Sequence, residues 1–326
     1  MQGEMKIFDK VFHGDIIKKF REFIKPLNDI SLDKWLIFSD YCFEDQQKLY
    51  NSVTFTIIPY VDHPDNLKQA MKLIAPKDLK KTKHIDGKFG EFIKSGHVFN
   101  FSLIFEKREK HYFLKRTKSE YQSEINTLIE GVQKWIENTP EKADYYKETI
   151  KKMKTLKQEM ERKTFNLRLY QNTCLINVMV SYLFYIISKE SKTKPALLGW
   201  FSDRDSMLTS YDGLIKDFIN ISYHNLCEYM KISEKKCPEL VFPDNVSFKE
   251  KVLWYDELNR IPDYLAGAFA GRNYVSPEKD KYDVLFEEAI AENPYLGVMN
   301  FGFENNEKKI NSLTFHLAKK DEIKSS

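Results

Sequence analysis

The 326-residue chain lacks several features that would fix its class directly. Its four cysteines, Cys42, Cys174, Cys227 and Cys237, form no Cys-x-x-Cys pair, and they are not grouped with histidines at zinc-ligand spacing. This pattern argues against a structural zinc site and against a disulfide framework, so we expect free thiols in a reducing compartment. The sequence also contains no Gly-rich phosphate loop and no Ser-His-Asp order. Chemistry that depends on either motif is therefore not expected.

An excess of one charge and a long hydrophobic run are also missing. The 51 Lys and Arg residues nearly balance the 48 Asp and Glu residues, so any nucleic-acid site must come from local clustering. The most apolar long segment, residues 174–188, contains Asn177 and Ser181 and is too short and too polar to span a bilayer. Residues 1–10 contain no apolar signal core. We therefore expect a cytoplasmic protein with no membrane partner.

The spacing of apolar residues predicts an α/β protein built as one domain. Short β-branched and aromatic runs alternate with segments of helical spacing, and no internal repeat interrupts them. An amphipathic helix is expected over residues 9–27, ended by Pro26. The predicted strands cover residues 34–40, 52–60, 97–105, 196–203 and 239–242. The other predicted helices cover residues 66–74, 212–230, 248–271 and 281–292, and two short strands are expected near the end of the chain.

Residues 119–189 are predicted to be helical almost throughout. Within them, residues 141–163 are heavily charged and place Glu148 and Lys152 at i,i+4 spacing. This segment is expected to be a solvent-exposed helical hairpin inserted between strands, and it is a possible surface for a protein partner. The predicted organisation is an N-terminal helix (1–30), a core with the helical insertion (31–272) and a C-terminal extension of the same domain (273–326).

Two predicted strands end in the same way, at Ile37-Phe-Ser-Asp40 and at Trp200-Phe-Ser-Asp203. A carboxylate at the carboxyl end of a buried strand lies where α/β sheets place ligands and catalysts. Two such acids repel each other unless a positive group neutralises them, and Mg²⁺ or Mn²⁺ is the usual neutraliser because hard cations prefer oxygen ligands. A third acid, Asp263, follows later. Three acids in this order are what a two-metal phosphoryl-transfer site requires.

Each of these acids also has a simpler interpretation. Asp40 and Asp203 are each compatible with a turn or with a helix N-cap. Asp263 follows Pro262, which suits the first turn of a helix, so Asp263 is expected near a helix N-terminus, where its charge favours the helix dipole. Small residues then follow and are expected to let this helix approach the sheet closely; they are Ala266, Gly267, Ala268, Ala270 and Gly271.

The order of elements and the motif Ile261-Pro-Asp263-Tyr-Leu-Ala-Gly-Ala resemble a large prokaryotic family of uncharacterised proteins with a predicted RNase H/integrase-like fold. The resemblance covers about residues 32–272. It implies an RNase H-like mixed sheet flanked by helices, with catalytic and metal-binding roles for Asp40, Asp203 and Asp263. The implied activity is Mg²⁺- or Mn²⁺-dependent cleavage of nucleic acid.

The chain departs from that family pattern after its first aspartate. The family usually continues with Glu-Ser-Gly, whereas Tyr-Cys-Phe follows Asp40 here, and acids return only at Glu44 and Asp45. Glu44 and Asp205 are the candidate residues that would contact and orient the three aspartates without binding the metal themselves. The departure favours an alternative, a non-catalytic interaction or regulatory protein on the same fold.

A second alternative comes from Asp203-Arg-Asp205-Ser. An Asp-x-Asp motif after an apolar strand resembles the nucleophile motif of haloacid-dehalogenase-like phosphatases. That motif usually lies near the start of its core, whereas here it lies two-thirds along the chain. Asp205 has the simpler interpretation of a helix-capping acid.

A basic segment over residues 107–118 is interleaved with Tyr112 and Phe113. Basic residues with aromatic neighbours bind phosphate backbones and stack bases, although most charge runs are solvated faces. Lys110, Lys115 and Arg116 are therefore the candidate nucleic-acid-binding residues.

Overall fold

The computed structural model describes residues 2–43, 45–106, 116–231, 238–243, 252–273, 280–304 and 307–317. The strands are β1 Lys34–Cys42, β2 Tyr50–Pro59, β3 Phe99–Glu106, β4 Leu197–Ser202, β5 Glu239–Val241, β6 Leu296–Glu304 and β7 Glu307–Leu313. The α-helices are α1 Gln2–Val11, α2 Ile17–Asp29, α3 Pro64–Ile74, α4 Gly87–Lys94, α5 Lys118–Asn138, α6 Ala143–Glu161, α7 Leu167–Glu190, α8 Ser206–Tyr229, α9 Asp256–Gly271 and α10 Lys281–Leu285. π-helical segments cover Phe12–Ile16 and Phe286–Ile290, and short 3-10 helices cover Leu79–Lys81 and Pro140–Lys142.

The seven strands found in the described residues join one mixed sheet in the order β5-β4-β1-β2-β3-β6-β7. β1 pairs with β4 in parallel and with β2 in antiparallel orientation, and β2 is also antiparallel to β3. β5 is parallel to β4, and β6 is parallel to β3. β6 and β7, expected as two short strands, have nine and seven residues and extend the sheet beyond β3.

Helices cover both faces of the sheet because side chains alternate along each strand. In β1, Trp35 and Ile37 point to a face covered by α1, α2, α7 and α8. Leu36 and Phe38 point to the other face, which α3, α4, α9 and α10 cover. The expected α/β architecture, a mixed sheet flanked by helices, is confirmed.

Between β3 and β4, the described residues 116–196 contain the α-helices α5, α6 and α7. The hairpin expected within residues 141–163 is wrong: this stretch contains the single helix α6, which packs against α5 and α8. Lys152 does not pair with Glu148; its Nζ lies 3.1 Å from Oδ2 of Asp217, a buried carboxylate of α8. A buried acid must be paired, whereas an exposed i,i+4 pair contributes little, so the buried partner is favoured.

The apolar segment 174–188 lies inside α7, which is buried along most of its length as expected. In the part of the chain that the structure describes, no helix is both long and apolar enough to cross a membrane.

Two expectations based on proline are wrong. Pro26 does not end a helix, because α2 continues through it to Asp29. Pro262 is not in a first turn either, since α9 begins at Asp256 and contains Pro262 in its interior. A proline removes one backbone donor but does not end a helix that tertiary packing stabilises on both sides. Asp263 therefore lies in the middle of α9, not at its dipole-favoured N-terminus.

Candidate functional site

Strand alternation brings Asp40 and Asp203 to the same face and the same end of the sheet. Ser39 of β1 is in register with Ser202 of β4, and each aspartate follows its serine directly. The two strands are parallel neighbours, so their carboxyl ends lie together. Phe38 and Phe201, two residues before each aspartate, both belong to the core under α9. Both carboxylates therefore lie on the side of the sheet that α9 covers.

Asp263 reaches the same place from α9. This helix lies close to the sheet, and Oγ of Ser52 in β2 donates a 2.6 Å hydrogen bond to the carbonyl oxygen of Ala266. Oδ2 of Asp263 accepts a 2.8 Å hydrogen bond from the backbone N–H of Leu79 in the 3-10 helix. The structure thus brings Asp40, Asp203 and Asp263 into the lining of one cavity of about 680 Å³.

The pKa values of Asp40 and Asp263 are both raised. Burial raises the pKa of Asp40 well above its usual value, and the negative charges of Asp263 and Asp203 raise it further. The pKa of Asp263 is also raised, first by burial, although hydrogen bonds with the N–H of Leu79 and with Asp40 lower it. The interaction between the two carboxyl groups raises the pKa of Asp40 and lowers that of Asp263, so it favours Asp40 as the more readily protonated member of the pair. A divalent cation beside this pair would take the place of the proton and favour the ionised form of both carboxyl groups.

Asp203 lies on the open side of the cavity. Its side chain is 57% exposed, and its Oδ1 accepts a 2.7 Å hydrogen bond from the N–H of Arg204. The guanidinium of Arg204 lies 3.9 Å from Asp203 and 3.3 Å from each carboxylate oxygen of Asp256. A positive side chain therefore borders the acids at the mouth of the cavity.

Three carboxylates supply the oxygen ligands that Mg²⁺ and Mn²⁺ prefer. Among the described residues, no group of three or more His, Cys, Asp or Glu side chains is already assembled at metal-ligand distance. Asp40 and Asp263 form the close pair, and Asp203 faces them from the rim. The donor chemistry fits a divalent cation, with Asp203 as the ligand that must approach.

A polar network behind the acids was not predicted from the sequence. The hydroxyl of Tyr41 hydrogen-bonds to the hydroxyl of Ser202 and, at 3.1 Å, to that of Ser39, and Nε1 of Trp200 donates to Ser39 at 2.9 Å. Burial raises the pKa of Tyr41, which keeps its hydroxyl protonated. This network ties the ends of β1 and β4 together and so fixes the spacing of the two aspartates. The sequence feature that could have indicated this network is the Ser-Asp pair at the end of both predicted strands.

Five basic side chains also line the cavity, and no sequence signal grouped them. They are Lys48, Lys80, Lys81, Arg204 and Arg260. Asn259, one turn before Asp263 on α9, is buried, and neither atom of its amide has a hydrogen-bond partner within the described residues. An unpaired buried amide at a cavity wall is typical of a site that a ligand or water completes.

The other predicted site residues do not all lie at this cavity. Asp205 lines it and caps α8, with its Oδ1 accepting a 2.8 Å hydrogen bond from the N–H of Met207. Arg116 lies outside the cavity lining, and its Nη1 is 2.6 Å from a carboxylate oxygen of Glu124. Glu44, Lys110 and Lys115 lie outside the described residues.

Comparisons with protein-family models, with curated proteins and with solved structures give no match to this chain.

Proposed function

We propose that this protein is a divalent-metal-dependent phosphodiester hydrolase acting on nucleic acid, with Asp40, Asp203 and Asp263 as the ligands of Mg²⁺ or Mn²⁺. The observation that carries the proposal is the convergence of three aspartates from two strands and a helix in one cavity, where two of them have raised pKa values. A buried acid cluster is electrostatically costly, and active sites are where such a cost is commonly retained.

Each residue has a role that follows from its position. Asp40 and Asp263 would hold the cation from the closed end of the cavity, and its charge would favour the ionised form of both carboxyl groups. Asp203 completes the ligand set from the open side, where substrate enters. Arg204 lies where its charge would offset that of a phosphodiester. The bound cation would polarise the phosphodiester and lower the pKa of an attacking water.

The proposal includes an RNase H-like core with α5–α7 as its helical insertion, and membership of the family that the sequence resembles. Two features support it. β1–β5 lie in the order β5-β4-β1-β2-β3, with only β2 antiparallel to the others, which is the arrangement expected of an RNase H-like sheet. Asp40 lies near the carboxyl end of β1, Asp203 directly follows the adjacent strand β4, and Asp263 lies on a late helix against these strands.

The test is cleavage of end-labelled single-stranded and duplex RNA and DNA with Mn²⁺, Mg²⁺, Ca²⁺ or EDTA. Wild type should cleave one of these polymers with Mn²⁺ or Mg²⁺ only. Asp40→Asn and Asp263→Asn should lower the rate by about 100-fold or more, as removal of one charge-stabilising group does. Asp144→Asn is the control, since Asp144 is fully exposed on α6. Equal rates for wild type and both site variants, or cleavage in EDTA, would refute the proposal.

A non-catalytic interaction protein is the second candidate. It is favoured by the outer side of α6, where charged residues such as Lys151 and Lys154 are exposed while the other side packs on α5 and α8. The absence of cleavage with every polymer, together with unchanged folding of Asp40→Asn, would favour it.

The phosphatase alternative receives no support from the position of Asp205, whose carboxylate is already engaged as the N-cap of α8.

A further inference from the structure

The five basic side chains that line the cavity of the three aspartates fall into two groups. Lys81 pairs with Asp78 at 2.7 Å, Arg204 pairs with Asp256, and Arg260 donates to the carbonyl oxygen of Ala75 at 2.9 Å; these three are held by the protein itself. The ammonium groups of Lys48 and Lys80 differ. Among the described residues, neither makes a hydrogen bond or an ion pair.

Of these two lysines, Lys48 is the stronger indication of a ligand site, because its side chain is half-buried. Its Nζ lies 3.4 Å from the centroid of the Tyr282 ring, so an aromatic face holds the ammonium in place without satisfying its three N–H donors. A Cβ added at Gly271 would lie 2.6 Å from this Nζ. The absence of a side chain at Gly271 therefore makes room for the ammonium against the wall of the cavity.

Lys80, in the 3-10 helix Leu79–Lys81, lines the same cavity and is exposed. Burial lowers the pKa of Lys48, and the positive charge of Lys80 lowers it further, whereas Asp45 and Asp280 partly oppose this effect. Two ammonium groups that repel each other, and that have no ion-pair partner among the described residues, would be stabilised by an anion between them. Cys42 also lines this cavity and follows Asp40 by two residues in β1, so the lysines and the aspartates border the same cavity.

We propose that Lys48 and Lys80 form a phosphate-binding subsite next to the three aspartates, which holds a second phosphate of the strand whose phosphodiester is cleaved. The inference rests on the proposed function and narrows the substrate class. A substrate that fills both positions carries at least two phosphates along one chain, so the cavity selects a polynucleotide strand over a phosphomonoester. The second phosphate is either an internal phosphodiester or a terminal phosphate.

The test is equilibrium binding of 3′-fluorescein single-stranded oligonucleotides, measured by anisotropy in EDTA over a range of salt concentrations. Each oligonucleotide is used with and without a 5′-phosphate. The variants are Lys48→Met, which keeps the length and apolar stem of the side chain, Lys80→Met, which changes an exposed residue and leaves packing intact, and their combination. Lys134→Met is the matched control because Lys134 is an exposed lysine of α5 outside the cavity.

The double variant should bind more weakly than wild type. The slope of log K against log salt should become shallower by about 0.7 for each phosphate of a single strand that the variant no longer neutralises. Weaker binding of both forms of the oligonucleotide identifies an internal phosphodiester, and weaker binding of the 5′-phosphorylated form alone identifies a terminal phosphate. Both results support the subsite. A double variant with the affinity and salt slope of the Lys134→Met control overturns it, as does the absence of wild-type binding.

This result is separable from that of the cleavage test. Weakened binding in the lysine variants without metal-dependent cleavage by wild type would retain the subsite and reject the hydrolase. Metal-dependent cleavage by wild type, together with unchanged binding in the lysine variants, would retain the hydrolase and reject the subsite.

Discussion

The pairing of Asp40 with Asp263 is the strongest local signal of function in the molecule. Both pKa values are raised, and burial is the largest cause for each. A structural carboxylate is normally paired with a cation or held by several donors, which lowers its pKa. Here the backbone N–H of Tyr41 donates to Asp40 and that of Leu79 donates to Asp263, and these hydrogen bonds do not offset the burial.

This pair predicts a pH dependence of folding in the absence of metal. A carboxyl group whose folded-state pKa is raised contributes stability that is fully present below its unfolded pKa, near 3.8, and is lost as the pH rises through the folded value. Asp40→Asn removes that titration. In EDTA, the free energy of unfolding of wild type should therefore fall relative to that of Asp40→Asn as the pH rises from 4 toward neutrality. Urea denaturation of both proteins at several pH values measures this difference in the free energy of unfolding.

The exposed Asp144→Asn variant is the control and should follow the wild-type profile, since Asp144 is fully exposed. Wild-type and Asp40→Asn profiles that run parallel across this range would show that the carboxyl pair does not titrate as inferred.

At the scale of elements, the position of Asp263 depends on the contact between α9 and the 3-10 helix Leu79–Lys81. A Cβ at Gly267 would collide with the Cδ2 atom of Leu79, the residue whose backbone N–H donates to Asp263. The absence of a side chain at Gly267 therefore allows this approach. Among the small residues after Asp263, Gly267 therefore packs against the 3-10 helix and not against the sheet.

Gly267→Ala should destabilise the protein by about 1–3 kcal/mol, because overpacking at a close contact displaces its neighbour. It should also weaken Mn²⁺ binding, because Leu79 and Asp263 move together. Gly131→Ala is the matched control: Gly131 lies in α5, and a Cβ there meets nothing within 4 Å. That change should stabilise the protein by about 0.5–1 kcal/mol, since alanine is the better helix former. Similar effects of the two substitutions in denaturation and calorimetric metal titration would contradict this account.

The strands that carry the site could be predicted from the sequence because their signals are local. Apolar runs ending in Ser-Asp identified β1 and β4 together with Asp40 and Asp203. Pro262 was wrongly assigned to a first turn because proline is typical of that position, whereas the acids of the actual first turn of α9 are Asp256 and Glu257. The partner of Lys152 could not be predicted because Asp217 is 65 residues away in the chain. The grouping of the cavity's cations was missed for the same reason.

At the scale of the whole molecule, sheet order explains why residues far apart in the chain share one cavity. β4 pairs with β1, which places residue 203 beside residue 40, and α9 crosses β1 and β2 to add residue 263. Strand order depends on pairing between distant segments and has no local signal, so the convergence of the acids could only be a hypothesis from sequence. β6 and β7 lengthen the sheet at its far edge, away from β1 and β4.

The central claim is that these three aspartates bind one or more divalent cations. The most direct measurement is a crystal structure of the wild-type protein grown with millimolar Mn²⁺, with anomalous data collected at the manganese edge. We expect an anomalous peak within coordination distance of carboxylate oxygens of Asp40, Asp203 and Asp263, and no such peak in Asp263→Asn crystals grown in the same way. A cavity without a peak, or a peak that contacts none of the three carboxylates, would contradict the account.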